Sequence, residues 1–242
     1  MKKTNMILFL VGLFFNLGIE GSAKAQTGKV DHRSWNSLLQ KHVNTKGVVN
    51  YVEWKKEETA LNTYINMLST NTPKETWPDN ERLSFWMNLY NASTVALILE
   101  NYPLKSIRDI GEPWDIVFIT AGDKKYSLND IEHNIIRKEF DEPRIHFALV
   151  CAAKSCPPLL NEAYTADRVD DQLQQQGVKF INNQEKNKIT ATGIEISKLF
   201  DWYKGDFTKT GSLISFLNGF SKIKIEPGAS ISFMDYDWSL NE

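Results

Sequence analysis

The residues with the most reactive side chains lie in one segment, residues 144–158, which holds a histidine, two cysteines and a serine. Alternating apolar residues predict a strand over residues 144–150, followed by a loop. Loops at strand ends commonly carry functional side chains. We therefore predict that His146, Cys151, Ser155 and Cys156 are catalytic residues that meet where the strand ends.

The two cysteines, separated by four residues, are compatible with several chemistries. In an exported protein they would close a small disulfide. Alternatively, Cys156 or Cys151 is a thiolate nucleophile, with His146 or His133 as its base. The same two cysteines and two histidines also form a set of soft metal ligands, but their spacing matches no compact zinc pattern. A further alternative is that both thiols are buried and inert. We predict neither a metal nor a cofactor.

A second feature is the stretch over residues 82–99, which is apolar around nearly its whole helical circumference. Such a helix is normally central and buried. Asn88 and Asn91 lie on its single polar stripe, and an unsatisfied buried polar group costs about 1–3 kcal/mol. Either their amides bind neighbouring backbone, or they form one wall of a polar pocket and bind substrate.

A third group of polar residues lies on the helix predicted over residues 127–138. Ser127 and Asp130 have the spacing of a capping box at its start. Glu132, His133 and Arg137 follow within two turns, and we predict that they contribute to substrate binding. The alternative is an ordinary solvated face.

The remaining elements indicate the fold class. Hydrophobic periodicity predicts further helices over residues 31–43, 52–68, 79–101, 167–182, 197–205 and 212–220. It predicts short strands over residues 115–120, 124–126, 188–196 and 231–236. Helices first and short strands later are typical of an α+β fold. We predict one domain whose helical first half contains a central buried helix packed against a small, mostly antiparallel sheet.

The N-terminus has the features of an export signal: two lysines, an apolar stretch over residues 6–17 and a small-residue site ending at Ala25. We predict a signal peptide over residues 1–25 and a single domain over residues 26–242. The apolar stretch is shorter than the roughly 20 residues that span a membrane. We expect an exported protein, periplasmic, cell-surface or secreted, with no transmembrane segment after signal removal.

Charge restricts the partners. The 242 residues include 28 Lys and Arg against 30 Asp and Glu, a net charge of −2. Domains that bind nucleic acid through their overall field are usually strongly basic. We therefore expect no nucleic acid partner, and an unknown envelope or extracellular ligand instead.

Four runs of the chain together resemble the family called domain of unknown function 547: residues 83–92, 128–137, 144–158 and 236–241. They occur in the same order as in that family, whose members include many exported bacterial proteins and larger plant proteins. The resemblance implies little about activity, because no settled biochemical function comes with the family. Plant members need not keep both loop cysteines, which weakens any mechanism common to the whole family that depends on them.

Two functions from different classes agree with these patterns. The first is an exported binding or scaffold module with a polar pocket. The second is a Cys/His or Ser/His hydrolase or acyltransferase that acts on an envelope or extracellular substrate. Both use the same group of residues around His146.

Overall fold

Helices dominate the computed structural model, which describes residues 30–242. The predicted signal peptide, residues 1–25, lies outside the described residues. The α-helices are α1 Arg33–His42, α2 Tyr51–Lys55, α3 Glu58–Thr70, α4 Asp79–Asn101, α5 Arg137–Glu139, α6 Val169–Ile181, α7 Leu199–Trp202, α8 Lys204–Phe207 and α9 Leu213–Asn218. A π-helix, Asp130–Ile136, precedes α5, and 3₁₀ helices cover Ile107–Asp109 and Pro143–Phe147.

The strands are short and form two small sheets: β1 Ile119–Ala121, β2 Lys124–Tyr126, β3 Lys188–Ile189, β4 Gly193–Ile196 and β5 Ser230–Phe233. β1 and β2 make an antiparallel hairpin, in which Ile119 pairs with Tyr126. β3 is antiparallel to β4, and β4 is parallel to β5. The predicted α+β class with a small, mostly antiparallel sheet is confirmed.

The central helix is α4, as its apolar circumference predicts. Phe85 and Leu89 share one side of it and Met87 lies on nearly the opposite side, yet all three are fully buried. It packs mainly against α3 and the π-helix. The ring of Trp86 reaches the hairpin, with its centroid 5.8 Å from that of Tyr126 in an edge-on arrangement.

Two apolar clusters fill the interior. The larger one surrounds α4 and includes α1 to α3. The smaller one lies in the second half of the chain and is centred on Phe147, whose ring contacts those of Phe180, Phe200 and Phe207. Phe147 follows His146 directly, so the packing of its ring in the second cluster holds the histidine backbone in place.

The predicted strand over residues 144–150 is wrong, and so is its expected arrangement of alternating faces. Pro143 begins a 3₁₀ helix there, and the Glu142 carboxylate caps it by accepting the backbone N–H of Arg144 at 3.0 Å. The fixed φ of proline suits the first position of a helical turn. Ile145 is buried in the larger apolar cluster and Phe147 in the smaller one. Their spacing therefore resembles that of a strand, although these residues pair with no sheet.

The helix predicted over residues 127–138 exists, but its central part is a π-helix rather than an α-helix. The capping box is confirmed, since Ser127 Oγ accepts the Asp130 N–H at 3.0 Å and Asp130 Oδ2 accepts the Ser127 N–H at 2.9 Å. The helix predicted over residues 52–68 is interrupted between α2 and α3. Within residues 30–242, no helix is both long and apolar enough to cross a membrane.

The two asparagines of α4 fix neighbouring chain segments. Asn88 bonds both the carbonyl and the N–H of Tyr164, at 2.8 and 3.0 Å. Asn91 donates to the carbonyl of Ala148 at 2.9 Å and accepts the N–H of Val150 at 3.1 Å. Both amides therefore bind backbone, which was the structural alternative to substrate binding.

The Asn91 amide gives a stability prediction. Asn91→Ala should lower the free energy of unfolding by about 2–3 kcal/mol, because two buried backbone groups lose their partner. Urea denaturation monitored by circular dichroism measures this change. Ser93→Ala on the same helix is the control, because the buried Ser93 hydroxyl makes no hydrogen bond among the described residues. Because no hydrogen bond is lost, Ser93→Ala should not lower the free energy of unfolding. Equal losses in the two variants would contradict the role assigned to Asn91.

Candidate functional site

A cavity of about 280 Å³ lies where the two apolar clusters meet. Leu149 of the first cluster and Leu199 of the second both line it. Its other lining residues are polar or aromatic: Tyr90, Trp114, Asn129, Glu132, His146, Cys151, Cys156, Trp202, Tyr203, Tyr236 and Trp238.

The cavity brings together four of the residues that the sequence marked: Glu132, His146, Cys151 and Cys156. Ser155 lies elsewhere. Its hydroxyl accepts the backbone N–H of Asp237 at 2.8 Å, and it lines neighbouring depressions instead.

Asn88, Asn91, His133 and Arg137 do not line the cavity. His133 and Arg137 instead belong to the hydrogen-bond network that reaches His146 through Asp206. Within residues 30–242, no group of three or more His, Cys, Asp or Glu side chains has an arrangement suited to a metal ion.

The two cysteines are free thiols in close contact. Their sulfur atoms are 2.9 Å apart without a disulfide bond, and Cys156 Sγ also accepts the backbone N–H of Cys151 at 2.8 Å. The Tyr236 hydroxyl lies 3.2 Å from Cys151 Sγ. The disulfide, one of the alternatives for these two cysteines, is therefore not formed in this structure.

These contacts make the two thiols chemically unequal. The hydrogen bond to Cys156 and burial both raise the pKa of the Cys151 thiol. Burial alone would raise the pKa of the Cys156 thiol, but the hydrogen bonds from the thiol and N–H of Cys151 lower it below its ordinary value. The contacts therefore favour Cys156 as the thiolate and Cys151 as the thiol that donates to it.

The cysteine loop is held by the C-terminal segment, residues 237–241. Lys154 and Ser155 donate their N–H groups to the carbonyls of Ser239 and Asp237, at 2.7 and 3.1 Å. The Asn241 N–H bonds the carbonyl of Ala152, whose φ of +56° lies in the left-handed region. A non-glycine residue keeps such a conformation only where its surroundings enforce it, and here the C-terminal segment does so.

His146 is buried and oriented by a carboxylate. Its Nε2 donates to Asp206 Oδ2 at 2.7 Å, and its ring stacks on Tyr203 with centroids 3.8 Å apart. Burial lowers the pKa of His146, although the Asp206 hydrogen bond acts in the opposite direction. The lowered pKa favours the neutral ring, and because the Asp206 carboxylate can only accept, the proton of that ring lies on Nε2. Among the described residues no group bonds Nδ1, which keeps a free lone pair.

Asp206 is compensated by cationic and polar donors. Arg137 makes a bidentate contact with its carboxylate, at 2.7 and 3.1 Å, and also donates to His133 Nδ1 at 2.9 Å. The hydrogen bond from His146, followed by those from Arg137, holds the pKa of Asp206 well below its usual range. His133 and Arg137 thus position the histidine through Asp206.

Glu132, unlike Asp206, is bound by hydroxyl groups and forms no salt bridge among the described residues. Its side chain is on the π-helix, the residue is only 6% exposed, and it accepts the hydroxyls of Tyr90 and Tyr203 at 3.0 and 2.6 Å. Burial, followed by the charge of Glu132, raises the pKa of both tyrosines, which keeps them protonated as donors. Within residues 30–242, Glu132 forms no ion pair. The direct partners of this buried carboxylate are therefore neutral hydroxyl donors, and Arg137 attracts it only at longer range.

Four aromatic rings pack together in an aromatic wall of the cavity. The Tyr236 centroid is 4.8 Å from that of Trp202 and 4.6 Å from that of Trp238, and Trp114 meets Trp238 edge-on at 5.7 Å. Trp202 is 47% exposed and forms the rim. Tyr236 and Trp238 lie in the last run that carries the family resemblance, residues 236–241, which was the one sequence signal for this wall.

The family comparison agrees with the resemblance seen in the sequence. Residues 74–181 match the model of a family described as "Protein of unknown function, DUF547". The predicted resemblance is confirmed over this range, which contains α4, the π-helix and the cysteine loop. The family description assigns no activity, so the activity of the chain is likewise unassigned. No curated protein and no solved structure matches the chain.

The histidine–aspartate contact gives a prediction about charge. In Asp206→Asn the pKa of His146 should fall further below its ordinary value, because the carboxylate that favours the protonated ring is lost while burial persists. NMR titration of the histidine ring resonances measures it, and His146→Gln identifies the signal.

Asp201→Asn makes the same charge change at an exposed position of α7, and should leave the His146 pKa unchanged. A His146 pKa that rises or stays constant in Asp206→Asn would show that the contact does not govern the ring.

Proposed function

We propose that this protein binds a small organic cation in the cavity between its two apolar clusters. The observation that carries the proposal is the buried Glu132 carboxylate, which lines the cavity together with aromatic rings and forms no salt bridge among the described residues. This makes the protein a binding module with a polar pocket. Export is part of the proposal and remains a prediction from residues 1–25.

The charge of Glu132 requires compensation. A buried ionised carboxylate costs several kcal/mol of desolvation unless a cation or several hydrogen bonds compensate it. The two tyrosine hydroxyls satisfy two of its acceptor positions and leave its net charge in place. A ligand that brings a positive charge into the cavity would supply the missing attraction.

The other charges near the cavity also favour a positively charged ligand. Within the described residues neither lysine nor arginine lines the cavity. Arg137 forms its salt bridge with Asp206 and attracts Glu132 only at longer range. Cys156 adds negative charge whenever it is a thiolate. The cavity is therefore an anionic environment in which a cation is favoured over a neutral or anionic ligand.

The aromatic wall and the volume restrict the cation further. Faces of Trp and Tyr attract cations, with the larger gains where water is excluded, and aromatic cages recognise quaternary ammonium groups. A volume of about 280 Å³ is at the small end of ligand cavities, which favours a compact ligand. A small alkylated ammonium compound meets these requirements.

Removing the carboxylate tests the proposal. Glu132→Gln keeps the shape of the side chain but removes its charge. It should weaken the binding of choline, used as a probe cation, by at least about tenfold, or roughly 1.4 kcal/mol. Isothermal titration calorimetry measures the dissociation constants.

Glu226→Gln removes the same charge at an exposed position and should bind choline as the unchanged protein does. Equal affinity of Glu132→Gln and the unchanged protein for choline would argue against a role of Glu132 in ligand recognition.

A second candidate, thiol-dependent acyl transfer or hydrolysis, is favoured by the position of Cys156 and His146 on one cavity. The Cys156 thiolate would attack an acyl carbonyl and expel the leaving group, and His146 Nδ1 would then take a proton from the attacking water. Among the described residues no hydrogen bond joins His146 to either thiol, so this candidate stands second.

This candidate has its own test. p-Nitrophenyl acetate should acetylate Cys156, with a burst of nitrophenol followed by slow release, and intact mass spectrometry detects the thioester. Cys156→Ser should abolish the nitrophenol burst. His146→Gln should keep the burst but slow the later hydrolysis of the thioester by about 10²-fold or more. Nitrophenol release that is the same in Cys156→Ser and the unchanged protein would exclude the acyl-enzyme route.

A further inference from the structure

We propose that Cys151 and Cys156 form a thiol–disulfide exchange site that reduces low-molecular-weight disulfides at the wall of the cavity. The proposal rests on the close contact of the two sulfur atoms and on the loop that holds them. It does not depend on the nature of the ligand proposed above.

The loop holds both thiols ready to react with each other. The sulfur atoms are 2.9 Å apart, and the Cys151 N–H donates to Cys156 Sγ. The Cys156 N–H bonds the carbonyl of Ala153, and residues 152–155 are tied to the C-terminal segment. Because the backbone is fixed in this way, closing the disulfide requires little further ordering of the chain.

The pair is reached from the cavity. Both cysteines line it, and Cys151 is partly exposed whereas Cys156 is 4% exposed. Cys156 also lines a neighbouring depression of about 630 Å³. Cys156 thus borders two cavities, from which a small disulfide can approach it.

The exchange has two balanced steps. The Cys156 thiolate attacks one sulfur of the substrate disulfide, forms a mixed disulfide and releases the other half as a thiolate. Cys151 Sγ then attacks Cys156 Sγ, so that the Cys151–Cys156 bond forms as the bond to the second half breaks. The leaving sulfur takes the proton that the Cys151 thiol loses. The substrate disulfide is reduced by two electrons and the cysteine pair is oxidised by two.

The contacts assign the two roles. The hydrogen bonds from Cys151 stabilise negative charge on Cys156, which makes Cys156 the attacking sulfur. Cys151 keeps its proton until the second step and is the resolving thiol. An acyl-transfer site would need one thiol only, so a second thiol in direct contact is the feature that distinguishes exchange chemistry.

The test treats the fully reduced protein with hydroxyethyl disulfide, an uncharged probe. Trypsin cleaves after Lys154, between the two cysteines, so the expected product is a disulfide-linked pair of peptides that separates on reduction. Cys151→Ser should stop at a mixed disulfide on Cys156. Cys156→Ser should react at least about tenfold more slowly than Cys151→Ser, since its remaining thiol lacks this activation.

The chain unfolded in urea is the reference for the rate of disulfide closure. In urea the loop is no longer held, and closing of the Cys151–Cys156 bond should be at least about tenfold slower than in the folded protein. The proposal fails if the folded protein forms no internal disulfide, if it closes no faster than the unfolded chain, or if the mixed disulfide is found on Cys151. None of these outcomes affects the choline titrations, so this proposal and the cation proposal fail separately.

Discussion

The structure around the cavity depends on one buried carboxylate. Glu132 accepts a hydroxyl from Tyr90 of α4 and another from Tyr203, which follows α7. These two hydrogen bonds connect the large apolar cluster to the second half of the chain. The same carboxylate brings to the cavity between them a negative charge that no salt bridge among the described residues neutralises. One side chain thus links the two parts of the fold and determines which ligands the cavity favours.

The second carboxylate of the region shows the contrast. Asp206 is compensated by Arg137 and by His146, and it serves to orient the histidine. Among the described residues Glu132 accepts hydrogen bonds from hydroxyl donors only, and unlike Asp206 it lines the cavity. A protein that needed Glu132 for packing alone would gain from pairing it in the same way. The difference between the two carboxylates is the strongest reason to expect a positively charged ligand.

The sequence predicted features that depend on nearby residues. The apolar circumference of α4 indicated a central helix, and the capping box of Ser127 and Asp130 marked the start of the next one. The strand over residues 144–150 was wrong, because burial in two clusters imitated alternation and Pro143 began a 3₁₀ helix. Asp206 was missed, because its contacts with His146 and Arg137 join residues 60 and 69 positions away in the chain. Such contacts leave no local pattern.

The most direct test of the account compares two probes of equal shape. Choline and neohexyl alcohol, in which carbon replaces the nitrogen, differ in charge and hardly in size. Calorimetry on the unchanged protein should show choline binding at least about tenfold more tightly, because the anionic carboxylate and the aromatic wall act on its charge. Equal affinity, or tighter binding of the alcohol, would contradict the claim that this is a cation-binding cavity.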